Sequence, residues 1–193
     1  MSATTYELGT SRPNGWWGMV VFVIGETTLF LMLFASYFYL RLQTTHWPPS
    51  HVAKPPVLVP ALLTAALVLT SVGMQWAWRS AQRLERMRAW WLLAVSGTIQ
   101  IGYLIWQMFL FVDGVHKTPP SHSAYASITY TILAIDHLHV FLGILLTAWM
   151  VVRFATRITT YRLRGLQAIT FYWWAVSAIT VAVLLVTISP RLH

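Results

Sequence analysis

The sequence predicts an all-α integral membrane bundle of five transmembrane helices, with the N-terminus cytoplasmic and the C-terminus outside. Three observations predict it. Of 193 residues, 57% are hydrophobic and only 9% are charged. Soluble domains carry roughly 25% charged residues, so this surface is suited to lipid rather than water. Five apolar runs each approach or exceed the roughly 20 residues that cross a bilayer core. The basic residues gather in the segments between those runs, unequally on the two sides.

The runs are Trp16–Leu40, Val57–Trp78, Trp90–Val112, Tyr125–Val152 and Ala168–Ile188. Backbone polar groups in hydrocarbon need partners within their own segment, so each run is expected to be helical. Transmembrane strands would leave shorter, alternating segments, which are not seen. The first run is too long for the apolar part of a signal peptide, and the preceding residues lack a basic region and cleavage site, so no signal peptide is expected. The fifth run contains no charge. The fourth is anomalous, because Asp136, His137 and His139 sit near its centre.

Orientation follows from the connections. Arg79, Arg83, Arg86 and Arg88 fill the loop between helices 2 and 3; Arg153, Arg157, Arg162 and Arg164 fill that between helices 4 and 5. With Arg12 these place nine basic residues on one face, against Arg41, Lys54, Lys117 and Arg191 on the other. The richer face is assigned to the cytoplasm. The outer loops carry the stiff pairs Pro48-Pro49, Pro55-Pro56 and Pro119-Pro120. Trp16, Trp17, Trp47, Trp78, Trp90 and Trp91 fall at helix ends, where indoles anchor to the membrane interface. No internal repeat or domain boundary is evident, and residues 1–193 read as a single transmembrane domain.

The net charge of +8 would suggest nucleic acid in a soluble protein. Here it is accounted for by membrane orientation, and no nucleic-acid partner is expected. The absence of cysteine excludes disulfides, thiolate catalysis and iron–sulfur ligation by this chain.

A charged group at the bilayer centre costs at least about 2.5–3.5 kcal/mol, so ionisable residues there are paired, neutral or functional. Glu26 lies ten residues into helix 1, about 15 Å from its start. Asp136 lies at similar depth on helix 4, and the two can meet if helices 1 and 4 are neighbours. Asp136 and His139 share a helix face at i, i+3. His137 and His139 are about 200° apart around the axis and cannot hold one metal from a regular helix. Gly143, one turn beyond His139, would admit a close neighbour, helix or lipid. Glu26 reads either as a proton-exchanging or lipid-contacting carboxyl, or as a neutral or His-paired group that fixes packing. Asp136 and His139 read foremost as a hydrogen-bonded interhelical network. Haem ligation by His139 would need an axial partner on a second helix. His46, His51, His116 and His122 read as solvated histidines of outer loops. No motif for phosphate binding, nucleophilic catalysis or zinc is present, so redox chemistry by this chain alone is not expected.

At this point the sequence resembles the third subunit of cytochrome c oxidases and related quinol oxidases. The resemblance begins at Gly18-Met19, Phe22, Glu26 and Phe30, and Tyr39-Leu40-Arg41 closes that helix. Trp47-Pro48-Pro49 is similar to the family's Trp-Pro-Pro loop. Pro60, Leu62, Leu63 and Thr64, then Leu69 and Ser71, resemble its Pro-Leu-Leu-Asn-Thr and Leu-Ser-Gly stretches. Ser127, Tyr130, Leu138, His139, Val140 and Gly143 fall in register with a segment ending Gly-Leu-His-Val. The five spans match the short bacterial members. Two places depart: the family has His and Gly where this chain has Asp136 and His137. Its Tyr-Trp-His-Phe-Val-Asp becomes Tyr172-Trp173-Trp174-Ala175-Val176-Ser177. One hypothesis is that a polar network has moved from helix 5 to helix 4.

The resemblance implies a non-catalytic subunit of a proton-pumping oxidoreductase in the bacterial inner membrane. Haem and copper would reside in partner subunits, none in this chain. Oxidase subunits I and II would be partners, with phospholipid bound between helices and a larger respiratory supercomplex left open. Its roles would be assembly, sustained turnover and proton uptake, with Glu26 and His139 in or near that region. An accessory subunit of a quinol oxidase or nitric oxide reductase is the near alternative. A small transporter is a different class, and would want inverted repeats, broken helices or a polar pore stripe. A membrane cytochrome with haem on His139 is a third.

Overall fold

A computed structural model describes residues 14–49, 57–156 and 159–191. Arg12, His51, Lys54, Pro55-Pro56 and Arg157 lie outside the described residues. Five long helices carry the fold: α1 (Asn14–Leu42), α2 (Leu58–Gln82), α3 (Arg86–Lys117), α4 (Ala124–Phe154) and α5 (Thr160–Ile188). Single 3-10 turns at Pro120–His122 and Ser189–Arg191 flank α4 and follow α5. Each of the five is long and apolar enough to cross a membrane.

The helices run past the hydropathic spans because they continue into the interface. Arg79 ends α2, Arg86 and Arg88 begin α3, and Arg153 ends α4. Arg162 and Arg164 lie in the first turns of α5 rather than in a loop, which starts α5 eight residues before the apolar run. His116 likewise belongs to the last turn of α3, not to a loop. Long basic side chains can reach water from such positions, so a charge there does not end a helix. What starts α5 is Thr159, whose hydroxyl accepts from the Arg162 amide at 3.3 Å. Ser123 caps α4 in the same way, accepting from the Ala126 amide at 3.1 Å.

α2, α3, α4 and α5 close into a ring in which each packs against two neighbours, and α1 lies outside it against α4 and α5. The ring's interior holds the larger core, including Leu67, Met74, Leu93, Val140 and Trp173, all fully buried. Phe30 and Tyr37 are the buried residues of α1; they join Ile132, Tyr125 and Val183 in a second cluster between α1, α4 and α5. Trp47 packs edge-on against Tyr37 and Tyr125 in this second cluster, whereas Trp17 and Trp91 remain exposed at helix ends.

Polar side chains fasten the helices pairwise. Ser71 on α2 donates to the Trp173 carbonyl at 3.1 Å and lies 2.7 Å from the Ser177 hydroxyl on α5. Gln100 on α3 donates to the Thr70 hydroxyl on α2 at 3.2 Å. Arg86 donates to the Thr156 carbonyl, which sets the α2–α3 and α4–α5 turns side by side at one end of the bundle.

Candidate functional site

α1 and α4 are neighbours, but Glu26 meets His139 rather than Asp136. Glu26 Oε2 is hydrogen-bonded to His139 Nε2, with both side chains largely buried. The other ring nitrogen, Nδ1, lies 2.6 Å from the Ile135 carbonyl one turn earlier. A carbonyl only accepts, so Nδ1 carries a hydrogen. One proton is then left between Nε2 and the Glu26 carboxyl, and the pair is neutral overall wherever that proton sits. Net neutrality is what lets an acid and a base occupy a membrane-spanning helix pair at low cost.

Neighbours fix the ring. Phe30, one turn along α1 from Glu26, meets the imidazole edge-on at 5.5 Å. Tyr172 on α5 donates its hydroxyl to the His139 carbonyl at 2.8 Å. Three helices therefore converge on His139, with Glu26 from α1 and Tyr172 from α5. In the sequence Tyr172 bears only on the family resemblance, and nothing in its apolar surroundings singles it out as the third member.

Asp136, one turn before His139, turns to α5 instead of α1. It is 2% exposed, and its Oδ1 accepts from the Thr180 hydroxyl on α5 at 2.8 Å. His137 turns toward α3, where its ring meets Phe111 edge-on at 5.6 Å. The four ionisable residues thus separate: Glu26 and His139 form one pair, Asp136 joins α5, and His137 faces α3. Thr180, the partner of Asp136, lies three residues along α5 from Ser177, the position at which the family pattern carries an acid. Here Ser177 is hydrogen-bonded to Ser71.

Gly143 admits a close neighbour, and the neighbour is Trp173. A Cβ at residue 143 would lie 2.7 Å from Trp173 Cζ2. The indole Nε1 donates to the Thr147 hydroxyl at 2.8 Å, and Thr147 donates to the Gly143 carbonyl at 3.0 Å.

Comparison with known proteins agrees with this architecture. The family model for cytochrome c oxidase subunit III matches residues 12–189. Cytochrome c oxidase subunit 3 of Pisaster ochraceus is 26% identical over 170 residues, covering 84% of this chain and 65% of that protein. Its counterpart in Thermostichus vulcanus is 29% identical over 132 residues, covering 67% and 63%. That of Struthio camelus is 28% identical over 179 residues, covering 84% and 64%. The chain therefore spans slightly under two thirds of the length of these relatives. With the match running through all five membrane-spanning helices, the chain belongs to the cytochrome c oxidase subunit III family.

Proposed function

We propose that this chain is the third subunit of a respiratory terminal oxidase of the cytochrome c oxidase type, acting as a single transmembrane domain in a bacterial inner membrane. It carries no redox centre, packs on catalytic subunit I in a complex with subunit II, and supports assembly, phospholipid binding and proton uptake. The observation that carries this reading is the family match across residues 12–189.

Two features of the fold support it. α1 is peripheral and exposes Val21, Ile24, Leu31 and Met32, each at least 60% exposed. Such a face suits lipid or an apolar partner surface. Glu26 sits at the inner edge of this helix and is hydrogen-bonded to His139, so a proton-exchanging or lipid-contacting carboxyl has a built partner. The arginine-rich turns at one end of the bundle are assigned to the cytoplasm, which puts the N-terminus inside and the C-terminus outside.

The test is purification of the tagged native protein in mild detergent, with an absorption spectrum and an oxygen-consumption assay of the eluate. Haem-bearing partners that reduce oxygen, with the separated chain colourless, are the expected result. Partners that reduce nitric oxide instead would reassign the chain to a reductase complex. A chain that emerges alone would overturn the oxidase reading and favour a transporter.

A further inference from the structure

Within the ring of α2–α5 lies a cavity of about 390 Å³, distinct from the Glu26–His139 pair. It is bounded at one end by Asp113, Lys117 and Thr118, at the end of α3, and reaches inward to Tyr103, Asp136 and Thr180. Asp136 is twelve residues from the start of α4 at Ala124, or about 18 Å along the helix. The cavity therefore runs from one rim of the bundle to near the middle of α4.

His137 also lines this cavity, is 5% exposed, and has no hydrogen-bond partner at either ring nitrogen among the described residues. A buried polar group without a partner costs about 1–3 kcal/mol, and such groups are ordinarily met by water or a ligand. The walls are mainly apolar, but polar groups continue from rim to floor: Asp113 and Lys117, then Tyr130 and Thr129, then His137 and Asp136. Further ionisable groups on the walls are Tyr125 from α4 and Tyr103 from α3; the α2 and α5 walls carry none. A cavity of this volume has room for on the order of ten waters. Beyond Asp136 the same ring is closed by fully buried Val140, Leu67, Met74 and Trp173.

We infer that this cavity is a water-filled chamber, open beside the α3–α4 turn, through which Asp136 and His137 exchange protons with the aqueous phase on that side. The inference concerns the chain's own interior and does not depend on which terminal oxidase it serves. It gives the subunit a proton-accessible acid and base near mid-membrane that are separated from the arginine-rich end by a dry core.

The absence of cysteine in this chain makes the test direct. Single cysteines are introduced into the complex in sealed, oriented vesicles: Lys117→Cys at the rim, Thr129→Cys on the chamber wall and Ile144→Cys in the core beyond the floor. A small, charged, membrane-impermeant thiosulfonate is added to one side at a time, and labelling of this chain is read by mass spectrometry. The expected result is that Thr129→Cys is labelled from the same side as Lys117→Cys, at least tenfold faster than Ile144→Cys. Thr64→Cys, on the α2 wall, replaces Thr129→Cys if that variant does not assemble. No labelling of either wall cysteine, or labelling of Ile144→Cys at a similar rate, would overturn the inference.

Discussion

Gly143 on α4 and Trp173 on α5 approach so closely that any side chain at residue 143 would enter the indole, with a Cβ 2.7 Å from Cζ2. The indole cannot swing aside freely, because Trp173 is fully buried and its Nε1 is held by Thr147. In a bilayer, helices associate through packing and hydrogen bonds rather than hydrophobic exclusion, so a contact of this kind bears directly on whether α4 and α5 stay together.

Gly143→Ala is therefore expected to destabilise the bundle by about 1–3 kcal/mol through overpacking. The check is a thermal unfolding midpoint in detergent. Adding Trp173→Phe, which shortens the ring system at the contact, should recover part of the loss. Equal midpoints for Gly143→Ala and the parent would show that α5 can shift without cost.

The turn between α2 and α3 makes a different kind of prediction. Leu84 has φ of 60°, the left-handed region, and its side chain is 47% exposed. A β-carbon in that region costs roughly 1–2 kcal/mol. Leu84→Gly should raise the unfolding midpoint, by an amount worth about 1 kcal/mol at most, since glycine also gains freedom when unfolded. A lower midpoint would mean that the leucine anchors the turn at the membrane interface more strongly than its backbone strains it.

Much of this architecture is legible in the sequence, and the limits have physical causes. The five spans are visible because hydrocarbon demands long apolar runs. Their ends are not, because arginines such as Arg162 and Arg164 tolerate a helical backbone while reaching for water. Helical rise alone puts Glu26 and Asp136 at similar depth. It cannot say which of Asp136 and His139 faces α1, because that depends on where α1 docks around α4. His139 takes that face, and Asp136 meets Thr180. The Ser71–Ser177 and Gln100–Thr70 contacts carry no sequence signal, since isolated hydroxyls in apolar helices commonly bond to their own backbone, as Thr98 does to the Ala94 carbonyl. The chamber is invisible in sequence because its walls come from four helices.

His137 stands where the resembling family has glycine. Its ring covers Phe111 and lines the chamber. His137→Gly removes that contact and adds the helix cost of glycine, about 1 kcal/mol. A lowered unfolding midpoint and reduced recovery of assembled complex are expected, with His137→Ala separating the ring's share from the backbone's. A glycine variant as stable as the parent would argue against any network role for His137.

The Glu26–His139 pair makes the sharpest demand, because its neutrality depends on both members. Removing one leaves the other buried without its proton partner: Glu26→Ala strands His139 Nε2, and His139→Ala strands a carboxyl between apolar helices. Each loss is expected to cost on the order of 2 kcal/mol. Removing both leaves nothing stranded, so the double variant should be less damaged than the sum of the two. A double-mutant cycle on unfolding midpoints should give a coupling of roughly 1 kcal/mol or more. Glu26→Gln should fall between, because an amide can still donate to Nε2 but cannot hand over a proton. If Glu26→Gln keeps the stability of the parent while sustained turnover of the complex declines, the pair's proton and not its hydrogen bond matters for function. If turnover is unchanged as well, the pair serves to dock α1 and nothing more. Additive single losses would instead mean that the two side chains are solvated separately, and that α1 is held by its apolar contacts, Phe30 and Tyr37 foremost.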